Sequence, residues 1–241
     1  MRPTLARLAA LSLAALLAAC STRSISDSGY RSAYGHGPGP ELYRGELDAY
    51  DVLGLDPTLA GSDEDIAALL DRPRVDLRLV PGERVGVVQS GALVPDHQLL
   101  AALAPHVEVL ALSGIPRDER APRTTATLLR VAAAQAGVER LLVAWGTIET
   151  AAEHTEGAVV SWVPIVGWGL ADTELRQRLR LQLALIDVRT GQWDLILPPD
   201  VWDETTSSPL TRESKDQQLV ARVKQRGYAA AVAHLVEAHM R

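Results

Sequence analysis

The spacing of hydrophobic and polar positions changes along the chain, and these changes predict its helices and strands. Short apolar runs at 85–89, 107–112 and 141–148 have the composition and flanking residues of buried strands. Apolar residues recur at helical spacing in the two segments between these runs, 95–106 and 124–136. The pattern therefore predicts a β-α-β-α-β unit in the first half of the folded region.

In the second half the period changes to two. Leucines alternate with other residues over 179–185, and the alternation resumes from Trp193 to Leu197 after Thr190-Gly191, a turn signal. This pattern predicts a β-hairpin. Residues 212–241 return to helical spacing and predict a long C-terminal helix.

Two shorter elements complete the predicted order. Ser62 followed by Asp65 indicates a capped helix that runs to Leu70, and 75–79 is predicted to be an edge strand. We therefore predict an α/β (α+β) fold, with helices packed on a single small mixed sheet and elements in the order β-α-β-α-β-hairpin-α.

The first twenty residues have the features of an export signal. Arg2 and Arg7 precede an apolar run, 8–19, that is too short to span a bilayer but suits the core of a signal peptide. Leu17-Ala18-Ala19-Cys20 resembles a bacterial lipobox. The resemblance implies cleavage between Ala19 and Cys20, a diacylglyceryl group on the Cys20 thiol and acylation of the new amine. A plain secretory signal is the alternative.

Residues after the cysteine bear on the membrane and on the domain boundaries. In enterobacterial lipoproteins an aspartate there favours the inner membrane, so Ser21 favours a lipid-anchored, periplasm-facing position at the outer membrane. Eleven of the twenty residues in 21–40 are Ser, Gly or Pro. We predict a signal peptide at 1–19, a lipidated Cys20 with a disordered tether at 20–40, and one periplasmic domain at 41–241.

Charge and cysteine content restrict the classes of partner. Without residues 1–19 and their two arginines, 22 basic residues face 30 acidic ones, a net charge of −8. This balance argues against a nucleic-acid binder and against electrostatic binding to anionic lipid. Cys20 is the only cysteine, so an intramolecular disulfide is excluded. The expected partners are the membrane, through the lipid anchor, and an envelope protein or a second copy.

Residues with catalytic or metal-binding potential do not match known motifs. Ser90 precedes a glycine but lacks the G-x-S-x-G pattern of a nucleophile elbow. His234, Glu237 and His239 have the wrong spacing for a shared zinc on a helix, and Glu153-His154 with Glu156 suits a solvated loop. The sequence predicts no catalytic residue, metal or cofactor, and an enzyme remains the less favoured alternative.

The most apolar stretch beyond the signal is VVSWVPIVGWG at 159–169. Its proline and glycines argue against a regular helix or a central strand. One interpretation is a loop that completes the core. The other, which we favour, is an exposed contact with a partner or membrane, made by Trp162, Val163, Pro164, Ile165, Val166 and Trp168.

Two of these segments carry a resemblance to known families. LRLQLALIDVRTGQW resembles the D-V-x-T-G hairpin of CsgG-like and TolB-N-terminal-like outer-membrane lipoproteins, and SWVPIVGWG resembles the W-x-I-V-G loop of rhombotarget lipoproteins. The resemblance implies a small α/β domain with an assembly role in the periplasm and without catalysis. A second long amphipathic insertion, which a channel would require, is not found. We expect a non-catalytic interaction or assembly component of the envelope; the alternative is a periplasmic hydrolase or ligand-binding lipoprotein.

Overall fold

The structure is a computed structural model that describes residues 20–26, 46–55, 61–113, 122–154, 173–208 and 211–240. In chain order these residues form β1 (Cys20–Ser24), α1 (Ala49–Leu53), α2 (Asp63–Leu70), β2 (Arg84–Gln89), α3 (His97–Leu103), β3 (Glu108–Ala111), α4 (Pro122–Gln135), β4 (Arg140–His154), β5 (Thr173–Asp187), β6 (Trp193–Ile196), β7 (Val201–Ser207) and α5 (Arg212–His239).

The seven strands form one mixed sheet around the long antiparallel pair β4 and β5. At one end of this pair the strand order is β3-β2-β4-β5-β6, with β2 parallel to both β3 and β4. At the other end β1 pairs with β4, and β7 pairs with β5. The predicted α/β class with a single mixed sheet is confirmed.

The sheet has two ends, which correspond to the two ends of the long β4–β5 pair. The far end is where β4 begins at Arg140 opposite Asp187 of β5. The anchor end is where His154 of β4 lies opposite Thr173 of β5, and where β7 ends at Ser207. About 14 residues separate the two ends of β4, which corresponds to roughly 45 Å of extended chain.

Helices cover both faces of the sheet, because alternate strand residues point to opposite faces and both sets are apolar. On one face Val87, Leu142 and Leu183 belong to a buried cluster that includes residues of α3 and α5. On the other face Val143 and Ile186 belong to a second cluster with residues of α1 and α4. This arrangement makes three layers, and it explains the continuous apolar runs in β2 and β4.

The predicted edge strand at 75–79 is wrong. These residues form no regular element. Their backbone groups are bound singly: the Val75 amide donates to Gln192 Oε1, an Arg140 guanidinium nitrogen donates to Asp76 O, and the Leu79 amide donates to His239 O. Side chains and a helix end therefore replace the sheet partner that the pattern implied.

The start of the predicted tether also differs from expectation. Residues 20–24 form β1 and pair with five residues of β4. The rest of the predicted tether, 27–40, lies outside the described residues, as does the predicted signal peptide at 1–19. Two further elements, α1 and β7, had not been predicted.

Candidate membrane-anchored end of the domain

The sheet places Cys20 close to the anchor end. Cys20 opens β1 and pairs with Ala151, three residues before β4 ends at His154. The neighbouring strands begin or end at the same level, because Ala151 pairs with Arg176 of β5, and Arg176 with Glu204 of β7. A lipid on Cys20 would therefore be attached at one defined edge of the domain.

Residues that follow β1 fix this strand to the core. The Ile25 side chain is fully buried, and its amide donates to Gly146 O at 3.2 Å. An added Cβ on Gly146 would lie 2.0 Å from Arg180 O, so β4 and β5 come close only because this residue lacks a side chain. β1 is consequently part of the folded domain.

A buried polar link ties β1 to β5 and α5. Arg23 forms an ion pair with Asp216 of α5 at 2.8 Å, and both side chains are more than three-quarters buried. Gln177 of β5 donates to the same carboxylate oxygen at 2.6 Å. Partly buried charge-assisted hydrogen bonds of this kind are stronger than exposed ones.

Ser90, weighed above as a nucleophile, has a structural role. Its side chain is 1% exposed, and its hydroxyl donates to Glu46 at 3.0 Å and accepts the Leu47 amide at 2.7 Å. Of these two partners only the exposed Glu46 carboxylate could accept a proton, and no histidine is bonded to the serine among the described residues. The serine thus holds the segment that enters α1 against the end of β2.

A second buried group joins the loop after β2 to α5. Asp96 accepts hydrogen bonds from Lys224 Nζ at 2.9 Å and from the Tyr228 hydroxyl at 2.7 Å, and its amide donates to Gln89 at 2.8 Å. Burial, with the neighbouring Asp96 carboxylate, raises the pKa of Tyr228 well above its usual range. The phenol stays protonated and donates, so this triad is a structural clamp.

Alternating arginines on β5 form an ion-pair layer on the sheet face opposite α5. Arg178 bonds to Glu149 of β4, Arg180 to Asp200, and Arg176 to Glu174 and Glu204. The Arg178 guanidinium also lies 4.7 Å from the ring centre of Trp202, which is 56% exposed. The paired charges are close to balanced, so this face offers little net attraction for an anion or a cation.

The remaining sequence candidates are not brought together. Glu153 and His154 lie at the end of β4, whereas Glu156 and the predicted contact residues Trp162, Val163, Pro164, Ile165, Val166 and Trp168 lie outside the described residues. His239 is buried on α5, while His234 and Glu237 are exposed. Among the described residues, metal-ligating side chains nowhere form a group of three.

Within the described ranges, none of the helices combines the length and the apolar character needed to cross a bilayer.

Sequence reasoning missed β1 and the residues that fix it. Ile25 is a lone apolar residue among Ser, Thr and Arg, and strand propensity alone does not mark such a stretch. This strand pairs with the part of β4 that extends beyond β2, residues 147–151. That free edge exists only in the folded sheet and has no local sequence signal. The available signal was the single isoleucine within a segment otherwise typical of a linker.

Two solved structures are similar in part, and both likenesses are too distant to carry an argument. The hypothetical protein CT253 from Chlamydia trachomatis is 11% identical with a TM-score of 0.28, over 63% of this chain and 99% of that chain. The PelC L103M dodecamer from Paraburkholderia phytofirmans is 16% identical with a TM-score of 0.23, over 64% and 92%.

A search of curated proteins gives no significant match. The sequence model of the YafT bacterial lipoprotein family, by contrast, matches residues 48–238, which is well over half of the chain. The family's description as bacterial lipoproteins agrees with the lipobox expected at Cys20, which lies before the matched residues. The chain therefore belongs to the YafT bacterial lipoprotein family.

Proposed function

We propose that this protein is a non-catalytic lipoprotein of the cell envelope, anchored through acyl chains on Cys20 in the outer membrane and facing the periplasm. The observation that carries the proposal is that Cys20 opens a strand of the central sheet. Family membership and the lipobox support a lipid anchor, and Ser21 supports the outer membrane. Two or three acyl chains provide stable attachment, whereas one binds reversibly.

The paired register of β1 would give the domain a fixed orientation. Residues 22–25 are held by β4, α5 and the core, so little chain lies between the lipid and the domain. The anchor end of the sheet then faces the bilayer, and the far end faces the periplasm. A fixed orientation suits a protein that works by contact with an envelope protein or with a second copy.

The first test is fractionation of cells that express Cys20→Ala. We expect the variant to leave the membrane pellet and to lose labelling by a fatty-acid probe, with the wild-type protein in the outer-membrane fraction of a density gradient. Thr22→Ala, an exposed change in the same strand, is the control. A variant that stays in the membrane without lipid labelling would contradict the lipid anchor.

The contact residues predicted within 159–169 belong to this proposal. They lie in the sequence between His154, where β4 ends, and Thr173, where β5 begins, and these two strand ends are at the anchor end of the sheet. If the loop makes an external contact, Trp162→Ala and Trp168→Ala should leave the free energy of unfolding within about 0.5 kcal/mol. They should also reduce the partner protein recovered by crosslinking in intact envelopes.

Thermal melts separate this contact from a core role. Replacing a core tryptophan by alanine costs about 3 to 5 kcal/mol, so a large drop in melting temperature for both variants would show that the loop completes the core.

A further inference from the structure

A groove at the far end of the sheet has the chemistry of a ligand site. Two adjoining hollows, of about 520 and 580 Å³, share Arg74, Gln192 and Trp193 in their linings. Their combined lining comes from the end of α2, the segment 72–78, the β5–β6 turn with the start of β6, and the end of α5. This region, called the far-end groove below, lies at the opposite end of the sheet from Cys20.

Three arginines in the far-end groove have free guanidinium groups. Among the arginine side chains that the structure describes, only Arg72, Arg74 and Arg78 lack an ion pair or hydrogen bond from the guanidinium. All three are exposed. Asp76 and Asp194 also line the groove, so its lining carries three positive and two negative charges in a chain whose net charge is −6. The local excess of positive charge favours a ligand that bears both an anionic group and hydroxyl groups.

The turn that precedes β6 fixes the backbone around Arg74. The Gln192 side chain accepts the Val75 amide at 3.0 Å and donates to Pro73 O at 2.7 Å, so it clamps the residues on both sides of Arg74. Trp193 follows directly and is 38% exposed, which leaves part of its ring free to stack. The backbone on both sides of Arg74 is therefore bound to the residue next to Trp193, and Arg74 and Trp193 line the same two hollows.

The polar end of the groove supplies further hydrogen-bonding groups. Asp194 is exposed, and its carboxylate lies 3.4 Å from Nε2 of the buried His239, an atom without a hydrogen-bond partner among the described residues. Asp76 also lines this hollow, and one of its oxygens accepts the Arg78 amide at 2.9 Å. Carboxylates of this kind accept hydrogen bonds from hydroxyl groups.

We propose that the far-end groove binds a carboxylate-bearing saccharide. Arginine guanidinium groups bind carboxylates with directed, charge-assisted hydrogen bonds, and an exposed indole offers a flat apolar surface for the face of a sugar ring. The aspartates then take the hydroxyl groups. A purely acidic peptide would use the arginines but would not require the indole.

The source of such a saccharide depends on the proposed function. If the anchor end faces the outer membrane, the far-end groove faces the cell wall, whose glycan strands bear stem peptides with free carboxylates. An acidic exopolysaccharide has the same chemistry. The two sources are distinguished by their probes: purified cell-wall sacculi for the first, and alginate for the second.

The experiment is binding of the mature protein in detergent, by co-sedimentation with sacculi and by titration with alginate, dextran and polyglutamate. We expect binding to at least one of the two carboxylate glycans and none to dextran. Trp193→Ala removes the stacking surface, and Arg74→Gln/Arg78→Gln removes charge-assisted hydrogen bonds to the carboxylate. Each change should weaken binding by at least about tenfold.

Matched controls are Trp202→Ala, an exposed tryptophan on another face, and Lys215→Gln, which removes a cation remote from the groove. Both should bind like the wild type. The proposal is overturned if neither glycan binds, if the controls lose as much affinity as the groove variants, or if polyglutamate binds equally and Trp193→Ala changes nothing.

Two further variants keep the interpretation separate from folding and from anchoring. Gln192→Ala should weaken glycan binding while its melting temperature stays near that of the wild type, since it releases Arg74 without touching the core. Cys20→Ala should bind the glycan normally even though it is not anchored, so failure of the anchor and failure of the groove give different results.

Discussion

Asp187 shows how one residue closes the turn between β5 and β6. Its Oδ1 atom accepts the Thr190 amide and hydroxyl, each at 2.7 Å, and its Oδ2 atom pairs with Arg140 at 2.6 Å. Gly191 adopts a left-handed backbone, φ 74°, that completes the turn. The D-V-x-T-G sequence is therefore a turn motif whose aspartate binds both the turn and the first residue of β4.

The same contacts make stability depend on pH. Burial opposes ionisation of Asp187, but the Thr190 hydrogen bonds and the Arg140 charge outweigh it and hold the pKa below its usual value. The stabilisation is therefore complete above the unfolded-state pKa of about 3.9, and it is lost as the pH falls through the lower folded-state pKa.

We expect Asp187→Asn to lower the free energy of unfolding by about 3 kcal/mol at pH 7, because it removes one partner of a buried ion pair. The difference from wild type should begin to shrink below about pH 4, where the unfolded-state aspartate is protonated, and should disappear as the pH falls through the lower folded-state pKa. Urea unfolding at several pH values measures this. Glu108→Gln, which breaks an ion pair that is about half exposed, is the control and should cost less than about 1 kcal/mol. Equal deficits at all pH values would refute the role assigned to Asp187.

Among the elements, β1 would connect the proposed lipid on Cys20 to the central sheet. It is short and polar, and only Ile25, directly after it, enters the core. Its position depends on β4, which extends beyond its pairing with β2 and leaves an edge free for another strand.

We expect Ile25→Ala to reduce the free energy of unfolding by about 2 to 5 kcal/mol, the usual effect of emptying a fully buried aliphatic site. Thr22→Ala, on the exposed side of the same strand, should change it by less than about 0.5 kcal/mol. Chemical denaturation compares the two. Hydrogen exchange gives an independent reading, because amides paired with β4 should be protected. Rapid exchange throughout 21–25, together with a neutral Ile25→Ala, would show that β1 does not form.

Elements with strong local patterns were predictable from the sequence, and those decided by tertiary contacts were not. The predicted strand at 85–89 and the helix from Ser62 to Leu70 are confirmed, because buried apolar runs and a capping box act locally. The strand β1 and the segment 75–79 depend on partners distant in sequence. β7 alternates Val201, Asp203 and Thr205 with exposed residues, a weak pattern that was overlooked.

The candidate site was predictable only in part. Cys20 was identified from the lipobox, but its place beside Ala151 required the strand register. The far-end groove was not predicted, because Arg74 and Trp193 are more than one hundred residues apart and meet through Gln192. Unpaired arginines become visible only when the partners of all the others are known.

In the whole molecule, we propose that the lipid is attached to the first residue of a strand of the central sheet and thereby orients the domain. Arg140, at the far end of β4, lies roughly 35 Å along the strand from Ala151, the partner of Cys20. Such a separation is large enough to be measured by energy transfer. If Cys20 carries the lipid, its thiol is blocked, and an introduced cysteine becomes the only free thiol of the lipidated chain.

The most direct measurement is energy transfer from single fluorophores on the lipidated protein to acceptor headgroups in vesicles. One label is placed by Thr206→Cys, near the anchor end on β7, and the other by Ala104→Cys, after α3 at the far end; both sites are exposed. If the anchor end faces the bilayer, we expect strong transfer from position 206 and much weaker transfer from position 104. Equal transfer from the two positions would mean that the domain tumbles on a flexible tether, and it would contradict the fixed orientation proposed here.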